Sequence, residues 1–375
     1  MPAASSDTVL DRRALNRALL ERQMLLRRRR VSALQAVERL VGLQSQVPRD
    51  PYVALWSRLD RFRPDALAEA MTDRRALRMT LFRGTLHTVT AADAVALRAA
   101  IQPVVERMLR SQAAFRTATD GIDLEALLDA FTRSLNEAAR TRAQLAEDVA
   151  DRYPGRDPAA LSLAMYLMPT VQVTPRGVWG ETGPSAFTTV DSWLGRPVDH
   201  TTDMDALLLR YLAAFGPSTV ADAQSWSGIQ GLRPAFEALR PRLRTVRDEG
   251  GRELFDVPGA PYPDPNTPAP VRFLPEYDNV GLAHKDRGRI IPDGVVQWTE
   301  VGWGGVLVDG FAAARWKLDA DRAGATVRIE PFGRLARDDR TAVSQEGERL
   351  AAFLAPEAGR RVVRFGRFDS EVSRR

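Results

Sequence analysis

The sequence predicts an α+β fold in which three tandem winged-helix units precede a mostly-β C-terminal domain. Two observations support this prediction. Amphipathic helical segments followed by a two-stranded ribbon recur three times before residue 258. Beyond a proline-rich linker, PGAPYPDPNTPAP, the helical periodicity nearly disappears. We therefore place winged helices at 1–90, 91–202 and 203–257 and the mostly-β domain at 258–375.

The first unit contains predicted helices followed by a ribbon. Apolar residues at helical spacing place the helices around Leu15–Leu26, after a candidate N-cap at Ser32, after Pro51 and from Pro64. Residues 77–89, LRMTLFRGTLHTV, then alternate as two short strands around Arg83–Gly84. Helices followed by such a ribbon are the outline of a winged helix.

The same order of elements recurs twice. In the second unit a helical run precedes a short helix capped by Thr141, the apolar segment LSLAMYLM and a ribbon, TVQVTPRGVWG, that turns at Pro175–Gly177. In the third unit Ser218 caps the helix TVADAQSWS, and LRTVRDEGGRELFDV predicts a hairpin with its tip at Asp248–Gly251. Three such units in one chain are a more specific signal than any one of them alone.

The last block is predicted to consist mostly of strands. The segments VRFLPEYD, IIPDGVVQW, VGWGGVLVDGFAAARWKL and ATVRIEPF are strand-like, and Asp309–Gly310 is a strong two-residue hairpin signal. One last helix, AVSQEGERLAAFLA, is expected to close the fold.

The composition excludes several kinds of chemistry. The 375 residues include no cysteine, which rules out disulfides, thiolate metal sites and a cysteine nucleophile, and three scattered histidines make a metal centre unexpected. Lys285 and Lys317 are the sole lysines, so an imine-forming amine has two candidates. Neither a signal peptide nor an apolar span of ~20 residues is visible, so we expect a cytoplasmic protein without cofactor or metal.

The charge balance and the repeated units point to nucleic acid. Lys and Arg number 53 against 48 Asp and Glu, a formal net charge of +5, which is a mild hint of a polyanionic partner. A winged helix presents a recognition helix and a β-wing to DNA, and Arg83 and Arg176 lie at two wing turns. The alternatives are that the units are scaffold or bind protein, and that these arginines are merely solvated.

One loop carries candidate catalytic residues. In LQSQVPRDPY, Pro48 and Pro51 disfavour helical geometry in the residues before them, so the helix should give way to an extended loop near Gln46. On an extended segment Gln44 and Gln46 share a face, and their two amides can hold one water molecule. Arg49, in the same loop, is a candidate DNA contact. The alternative is a helix C-cap with surface glutamines.

The strand after the first wing turn offers further polar side chains. In RGTLHTVT, alternation puts Arg83, Thr85 and His87 on one face, from which they can contact the phosphates of bound DNA. A histidine at a wing is otherwise structural or solvent-facing. We therefore include all three side chains among the candidate DNA contacts.

These motifs resemble those of the AlkZ/YcaQ-like winged-helix family of bacterial DNA glycosylases. The matching segments are LVGLQSQ, RGTLHTVT, TPRGVWG, FLPEYDNVGLAHKDR and VLVDGFAAARWKL, which span most of residues 10–320. The resemblance implies three winged helices that a β-domain holds in a C-shape around double-stranded DNA. It also implies the Gln-aliphatic-Gln catalytic motif of the AlkZ-like branch, which Gln44 and Gln46 match and from which Ser45 departs.

The resemblance implies hydrolysis of the N-glycosidic bond of N7-alkylated purines, including interstrand cross-links, in repair or in self-resistance to a genotoxic natural product. Neutral glutamines suit this reaction because an N7-alkylated base is already a cationic leaving group, which leaves mainly the orientation of water to the protein.

The Asp309–Gly310 hairpin is either a probe of the minor groove or an ordinary hairpin. Asp50 and Asp278 can stabilise a cationic sugar, but their spacing does not select them. We expect a monomer, and the alternative function is a non-catalytic winged-helix DNA-binding regulator.

Overall fold

The computed structural model describes residues 8–295, 298, 301–321 and 323–368. Their helices are α1 Arg12–Arg22, α2 Ala33–Arg39, α3 Asp50–Arg58, α4 Asp65–Thr72, α5 Ala91–Ser111, α6 Ala113–Thr119, α7 Leu124–Glu137, α8 Arg142–Ala150, α9 Pro158–Leu161, α10 Val190–Leu194, α11 Met204–Phe215, α12 Val220–Ser227, α13 Arg233–Leu239, α14 Asn279–Leu282 and α15 Arg337–Leu354. No helix in this part of the chain is long and apolar enough to cross a bilayer.

The described strands form three sheets, so the fold is α+β, as predicted. The strands are β1 Val9–Leu10, β2 Leu43–Gln44, β3 Ala76–Thr80, β4 Leu86–Thr90, β5 Arg140–Thr141, β6 Thr170–Gln172, β7 Ala186–Thr189, β8 Arg244–Asp248, β9 Glu253–Asp256, β10 Arg272–Leu274, β11 Gly304–Val308, β12 Phe311–Ala320, β13 Ala325–Pro331 and β14 Arg361–Phe365. Their orders are β1-β8-β9, β10-β11-β12-β13-β14 and β2-β4-β3-β6-β7-β5.

The six-stranded sheet joins the ribbons of the first two predicted units. β3 pairs with β4 to form the first ribbon, and on its other side it pairs with β6 of the second, where Arg78 lies opposite Gln172. β2, which carries the first candidate glutamine, is the neighbour of β4 at the end of the sheet. The candidate loop is therefore attached to a sheet that both ribbons share, which the sequence patterns do not predict.

Several predicted turn and cap residues are confirmed, but the second ribbon is not formed as predicted. Its first strand, β6, pairs with β7 at Ala186–Thr189, and residues 177–180 form turns instead of the returning strand. Ser32 and Thr141 are N-caps within complete capping boxes. Hairpins connect β8 to β9 and β11 to β12 at the predicted glycine-containing turns. The cap of α12 is a correction, because Thr219 accepts the capping bond while Ser218 is buried and donates to the carbonyl of Phe215.

Two predictions for the C-terminal block are wrong. Of IIPDGVVQW, residues 290–295 form turns, because Pro292 and Gly294 favour a turn that closes with a bond from Val295 N–H to the Pro292 carbonyl. Residues 296 and 297 lie outside the described residues. The helix α15 does not close the fold, since β14 follows it and pairs parallel with β13.

The four predicted blocks pack against one another. Buried apolar residues from all of them, including Leu20, Phe131, Tyr211 and Leu307, belong to one contiguous cluster. Burial of this kind contributes about 25 cal/mol per Å² of apolar surface, so the blocks stabilise each other. The division of the chain into winged helices and the C-shape stay predictions.

A buried ion pair fixes the helix that follows the glutamine loop. Arg58, at the end of α3, donates to both carboxylate oxygens of Asp278, at 2.8 and 2.7 Å. Both side chains are almost completely buried. This bidentate pair joins α3 to the start of α14, and it engages both carboxylate oxygens of Asp278 in the interior of the protein.

A candidate active site at the glutamine loop

The glutamine loop is extended, as predicted. The chain passes from α2 into β2 through Gly42, whose φ is +92°. A Cβ at this position would lie 2.8 Å from Cγ1 of Val89, so the close crossing of the two segments requires glycine. β2 then pairs with β4, and Ser45 N–H continues the ladder by donating to the Leu86 carbonyl at 2.8 Å.

Both glutamine side chains are held by one short turn. Oε1 of Gln44 accepts from Nη2 of Arg83 at 2.7 Å, and Oε1 of Gln46 accepts from the backbone N–H of Leu86 at 3.0 Å. The side chains differ in exposure, because Gln44 is 6% exposed whereas Gln46 lies at the surface. Gln44 and Gln46 are two residues apart, and the residues that hold them, Arg83 and Leu86, are three residues apart on the opposing segment.

The partners decide which way each amide faces. A guanidinium and a backbone N–H can only donate, so Oε1 must face them and Nε2 must face away. Within the described part of the chain, neither Nε2 of Gln44 nor Nε2 of Gln46 has a hydrogen-bond partner. Each amide can therefore donate to a water molecule or to a substrate.

The residue between the glutamines is a buried part of the scaffold. The Ser45 side chain is fully buried and its Oγ has no hydrogen-bond partner among the described residues. Its carbonyl accepts from the guanidinium of Arg78, which also donates to Oε1 of Gln172. The second ribbon thereby helps to hold the loop. A buried hydroxyl without a partner gains nothing from its polarity, which agrees with an aliphatic residue at this place in the related motif.

Arg83 lies in the turn itself and is engaged within the protein. Its backbone is in the left-handed region, with φ of +58°, and its guanidinium donates to the Trp226 carbonyl as well as to Gln44. Burial, together with the nearby charge of Arg287, lowers the pKa of Arg83 to about 10, so it stays charged at neutral pH. A phosphate contact by Arg83 would compete with these bonds.

His87 is not placed as expected. It is 2% exposed, packs edge-on against the Phe82 ring and has Nδ1 2.9 Å from the Thr85 carbonyl. Burial and the charge of Arg83 lower the pKa of His87 to about 3, so the ring is neutral at physiological pH. The ring is therefore neutral and enclosed in this structure, and a DNA contact by His87 stays a prediction. Thr85 is half-buried, and its hydroxyl donates to the Phe82 carbonyl at 3.1 Å.

The Asp309–Gly310 hairpin is packed against α1 rather than projecting from the protein. The Asn16 side chain donates to the Gly310 carbonyl at 2.8 Å, and Arg13 and Arg17 pair with the Asp309 carboxylate. Gly310 is buried. The Asp309 side chain is still 46% exposed, so a contact of this turn with the minor groove stays a prediction. The alternative interpretation of these residues is an ordinary hairpin.

Three arginines place positive charge around the loop. Arg49 is exposed at the start of α3, and its charge acts to lower the pKa of Asp50. Arg176 is half-buried, donates to the Gly183 carbonyl at 3.0 Å and acts to lower the pKa of Arg78. Arg287 is exposed and acts to lower the pKa of Arg83. Sequence patterns did not single out Arg287, although it ends the FLPEYDNVGLAHKDR segment.

A buried carboxyl directly follows the loop. Asp50 is the first residue of α3, it is nearly buried, and its Oδ2 has no hydrogen-bond partner in the described residues. Burial, and then the like charge of Glu276, raise the pKa of Asp50 to about 8. Glu276 is itself buried and accepts from Gly302 N–H at 2.6 Å. At neutral pH the Asp50 carboxyl is therefore mostly protonated and contributes little negative charge.

The described residues contain no group of three or more His, Asp or Glu side chains arranged to hold a metal ion. The loop presents two oriented, neutral amides next to the buried Arg83 guanidinium, and other arginines nearby make the surroundings positively charged. Such a site can orient a small polar molecule and accommodate an anionic ligand.

One comparison with known proteins identifies the family, and another identifies a similar fold. The family described as DNA glycosylase AlkZ-like matches residues 37–353. Among solved structures, Streptomyces sahachiroi DNA glycosylase AlkZ is similar in fold, with a TM-score of 0.66 at 19% sequence identity, over 96% of this chain and 100% of that chain. No curated protein matches. Because the family match covers most of the sequence, the chain belongs to the AlkZ-like family of DNA glycosylases.

Proposed function

We propose that the protein is a monofunctional DNA glycosylase that hydrolyses the N-glycosidic bond of N7-alkylated purines, with Gln44 and Gln46 as the catalytic residues. One observation carries the proposal: both glutamine oxygens are anchored on the segment 83–86, by Arg83 in the turn and by Leu86 at the start of β4. This leaves both Nε2 groups without a protein partner in the described structure. Family membership supports the glycosylase activity.

The amides suit a reaction whose leaving group needs no acid. Alkylation at N7 gives the purine a positive charge, so the bond to the sugar breaks towards an oxocarbenium-like sugar without protonation by the protein. The remaining task is to hold one water molecule in line with the anomeric carbon, and orientation of this kind is worth several kcal/mol. Nε2 of Gln44 donates a hydrogen bond to the water oxygen, while the second lone pair of Gln46 Oε1 accepts a hydrogen bond from the water. When the water oxygen bonds to the anomeric carbon, the proton it loses passes to solvent.

Water, and not an amine, is the proposed nucleophile. The two lysines of the chain do not contact either glutamine. Lys317 lies on β12 with its ammonium 5.8 Å from the centre of the Trp303 ring. An imine-forming lyase requires an amine at the reacting carbon, so the reaction ends with an abasic site.

Arginines around the loop are the proposed DNA contacts. Arg49, Arg176 and Arg287 are at least partly exposed, and each is close enough to act on the pKa of a group in the site. We propose that they bind phosphates on either side of the damaged nucleotide, where each neutralised phosphate adds to the salt dependence of affinity. Interstrand cross-links formed through N7 present the same cationic bond and are proposed as a second substrate.

The test is release of base from DNA that carries 7-methylguanine. Under single-turnover conditions the wild-type protein is expected to produce abasic sites, and Gln44→Ala and Gln46→Ala are each expected to lower the rate about 10²-fold or more, as loss of an oriented dipole does elsewhere. Gln102→Ala is the matched control, because Gln102 lies on α5 and its side-chain amide donates to Glu106 at 3.0 Å.

Two outcomes would contradict the proposal. If the wild-type protein releases no base from 7-methylguanine or from a bulkier N7 adduct, the non-catalytic DNA-binding regulator becomes the better assignment. If both alanine variants release base as fast as the wild-type protein, the glutamines are not the catalytic residues. A cross-linked duplex with N7 linkages, treated in the same way, tests the second substrate.

A further inference from the structure

Arg83 connects the candidate catalytic glutamine to a distant helix. The turn that carries it is closed by backbone bonds from Gly84 N–H to the Leu81 carbonyl, at 2.8 Å, and from Leu81 N–H to the Thr85 carbonyl, at 3.0 Å. From this turn the guanidinium reaches Oε1 of Gln44 on one side and the Trp226 carbonyl on the other. Trp226 lies 143 residues away, in the last turn of α12.

The end of α12 is shaped to receive this turn. The helix stops at Gly228, which has φ of +80°, and a Cβ there would lie 3.2 Å from Cα of Arg83 and 2.9 Å from Cγ1 of Val104. The Phe82 and Trp226 rings lie 4.1 Å apart. The last carbonyls of a helix have no helical partner and carry partial negative charge, so the Trp226 carbonyl is a suitable acceptor for a guanidinium.

The bond to Arg83 determines the orientation of the Gln44 amide. A guanidinium has no acceptor atom, so a 180° rotation of the amide would place its NH₂ group against another donor. Hydrogen bonds to charged groups are worth about 1.5–3 kcal/mol, more than a neutral pair. Gln44 is therefore held with its oxygen inward and its NH₂ group outward.

We propose that Arg83 is a positioning residue: by occupying Oε1 of Gln44 it fixes this side chain as a hydrogen-bond donor towards the reacting water, and α12 holds Arg83 in place. This inference rests on the proposed function. It gives Arg83 a role inside the protein in place of a phosphate contact, and it lets the third predicted unit affect catalysis without touching the damaged base.

A double-mutant cycle tests the proposal. Arg83→Met is expected to lower the single-turnover rate constant for release of 7-methylguanine about 10- to 100-fold, while affinity for the same duplex changes less than about threefold. In the Gln44→Ala background, Arg83→Met is expected to have no further effect, because the residue it positions is gone. Arg83→Lys keeps the charge but loses the second NH₂ group with which the guanidinium bonds two acceptors at once, so it is expected to recover only part of the rate.

Arg107→Met is the matched control. Arg107 also donates to the end of α12, at the Gly228 carbonyl and 2.6 Å away, but it does not contact Gln44. Its substitution is expected to leave the rate within about twofold and to act independently of Gln44→Ala. Melting temperatures of all variants show whether each one folds. The proposal is overturned if Arg83→Met slows Gln44→Ala as much as it slows the wild-type protein, or if the loss is entirely in DNA affinity.

A second measurement does not require activity. In protein labelled with ¹⁵N at glutamine, the side-chain NH₂ resonances of Gln44 are assigned by their loss in Gln44→Ala. These resonances are expected to shift and broaden in Arg83→Lys and to stay in place in Arg107→Met. If they do not move in Arg83→Lys, the positioning role is wrong even where the protein releases base. If the wild-type protein releases no base but the resonances move, the proposed function fails while the contact stands.

Discussion

Two turns of the molecule share positive φ angles and have different surroundings. Arg83–Gly84 and Asp309–Gly310 are each a non-glycine residue followed by glycine, and all four residues have positive φ, of 58°, 72°, 45° and 82° respectively. The sequence predicts a hairpin turn at both places, and both were candidates to contact DNA. α1 packs against the Asp309–Gly310 turn and buries Gly310, whereas the Arg83–Gly84 turn directs its side chain to a glutamine.

The comparison teaches that turn chemistry does not determine what a turn does. At Asp309–Gly310 the polar groups are satisfied by Arg13, Asn16 and Arg17, so the turn serves stability. At Arg83–Gly84 the guanidinium is shared between the end of a helix and the Gln44 side chain, so the turn serves the candidate site. Each of the following predictions tests this contrast.

The largest expected effect is on the stability of the covered turn. A Cβ at Gly310 would lie 2.5 Å from Asn16 Oδ1 and 2.6 Å from Leu20 Cδ1, both buried, whereas at Gly84 its nearest neighbour is Sδ of Met108, the flexible end of a half-buried side chain, at 2.6 Å. Gly310→Ala is expected to cost about 3 kcal/mol and Gly84→Ala about 1 kcal/mol of unfolding free energy. Denaturant unfolding measures both. Equal losses would mean that α1 does not constrain its turn more tightly.

The second prediction is that Asp50, beside the glutamine loop, and Asp309 make the stability of the protein depend on pH in opposite directions. The pKa of Asp50 is raised to about 8 by burial and then by Glu276, so the native state retains a proton that the unfolded chain has lost. The stabilising contribution is complete below the unfolded pKa and is lost progressively as pH rises towards 8. Asp50→Asn is expected to remove this decline. Chemical unfolding between pH 5 and 8 measures it, and parallel slopes for the two proteins would contradict it.

The contribution of Asp309 to stability is expected to have the opposite pH dependence. Burial acts to raise its pKa, but the hydrogen bond from Arg13 and the charge of Arg17 outweigh it and hold the pKa below the ordinary value. Its contribution is therefore present above the unfolded pKa and is lost as pH falls into the acid range. Asp309→Asn is expected to reduce the acid sensitivity of unfolding and to leave the decline towards pH 8 unchanged.

The smallest expected effect distinguishes the arginines of the two regions. Arg287 is exposed, is close enough to act on Arg83 and has no side-chain partner among the described residues, whereas Arg13 is paired with Asp309 at 2.7 Å. Arg287→Ala is expected to reduce the slope of log affinity against log salt by about 0.9, the share of one phosphate contact, while Arg13→Ala leaves the slope unchanged. Fluorescence anisotropy at several salt concentrations measures this, and equal slopes would exclude Arg287 as a contact.

Several parts of the candidate site were predictable because they depend on neighbouring residues. The prolines after Gln46 and the glycine before Leu43 favour an extended loop, and alternation places a ribbon around Arg83–Gly84. The spacing of the two glutamines then follows. Their anchoring was not predictable, since the Arg83 donor to Gln44 and the Leu86 donor to Gln46 lie 39 and 40 residues further along the chain.

His87 and Arg287 show two properties of the site that the sequence patterns could not predict. Alternation correctly placed His87 in a strand, but it could not show that the Phe82 ring would cover that face. Arg287 lies in a turn with no periodicity, and only folding brings its charge near Arg83, 204 positions earlier in the sequence. Burial and long-range charge are properties of the packed chain, so local patterns do not contain them.

By itself the sequence determined the absence of thiol chemistry, the positions of the Arg83–Gly84 and Asp309–Gly310 turns, and two glutamines on an extended segment. Only the tertiary structure decided which turn is covered by α1 and which one reaches the glutamines. The physical reason is distance along the chain: φ and ψ preferences are set by a residue and its neighbours, whereas the bonds that give these turns their roles join residues 143 and 294 positions apart.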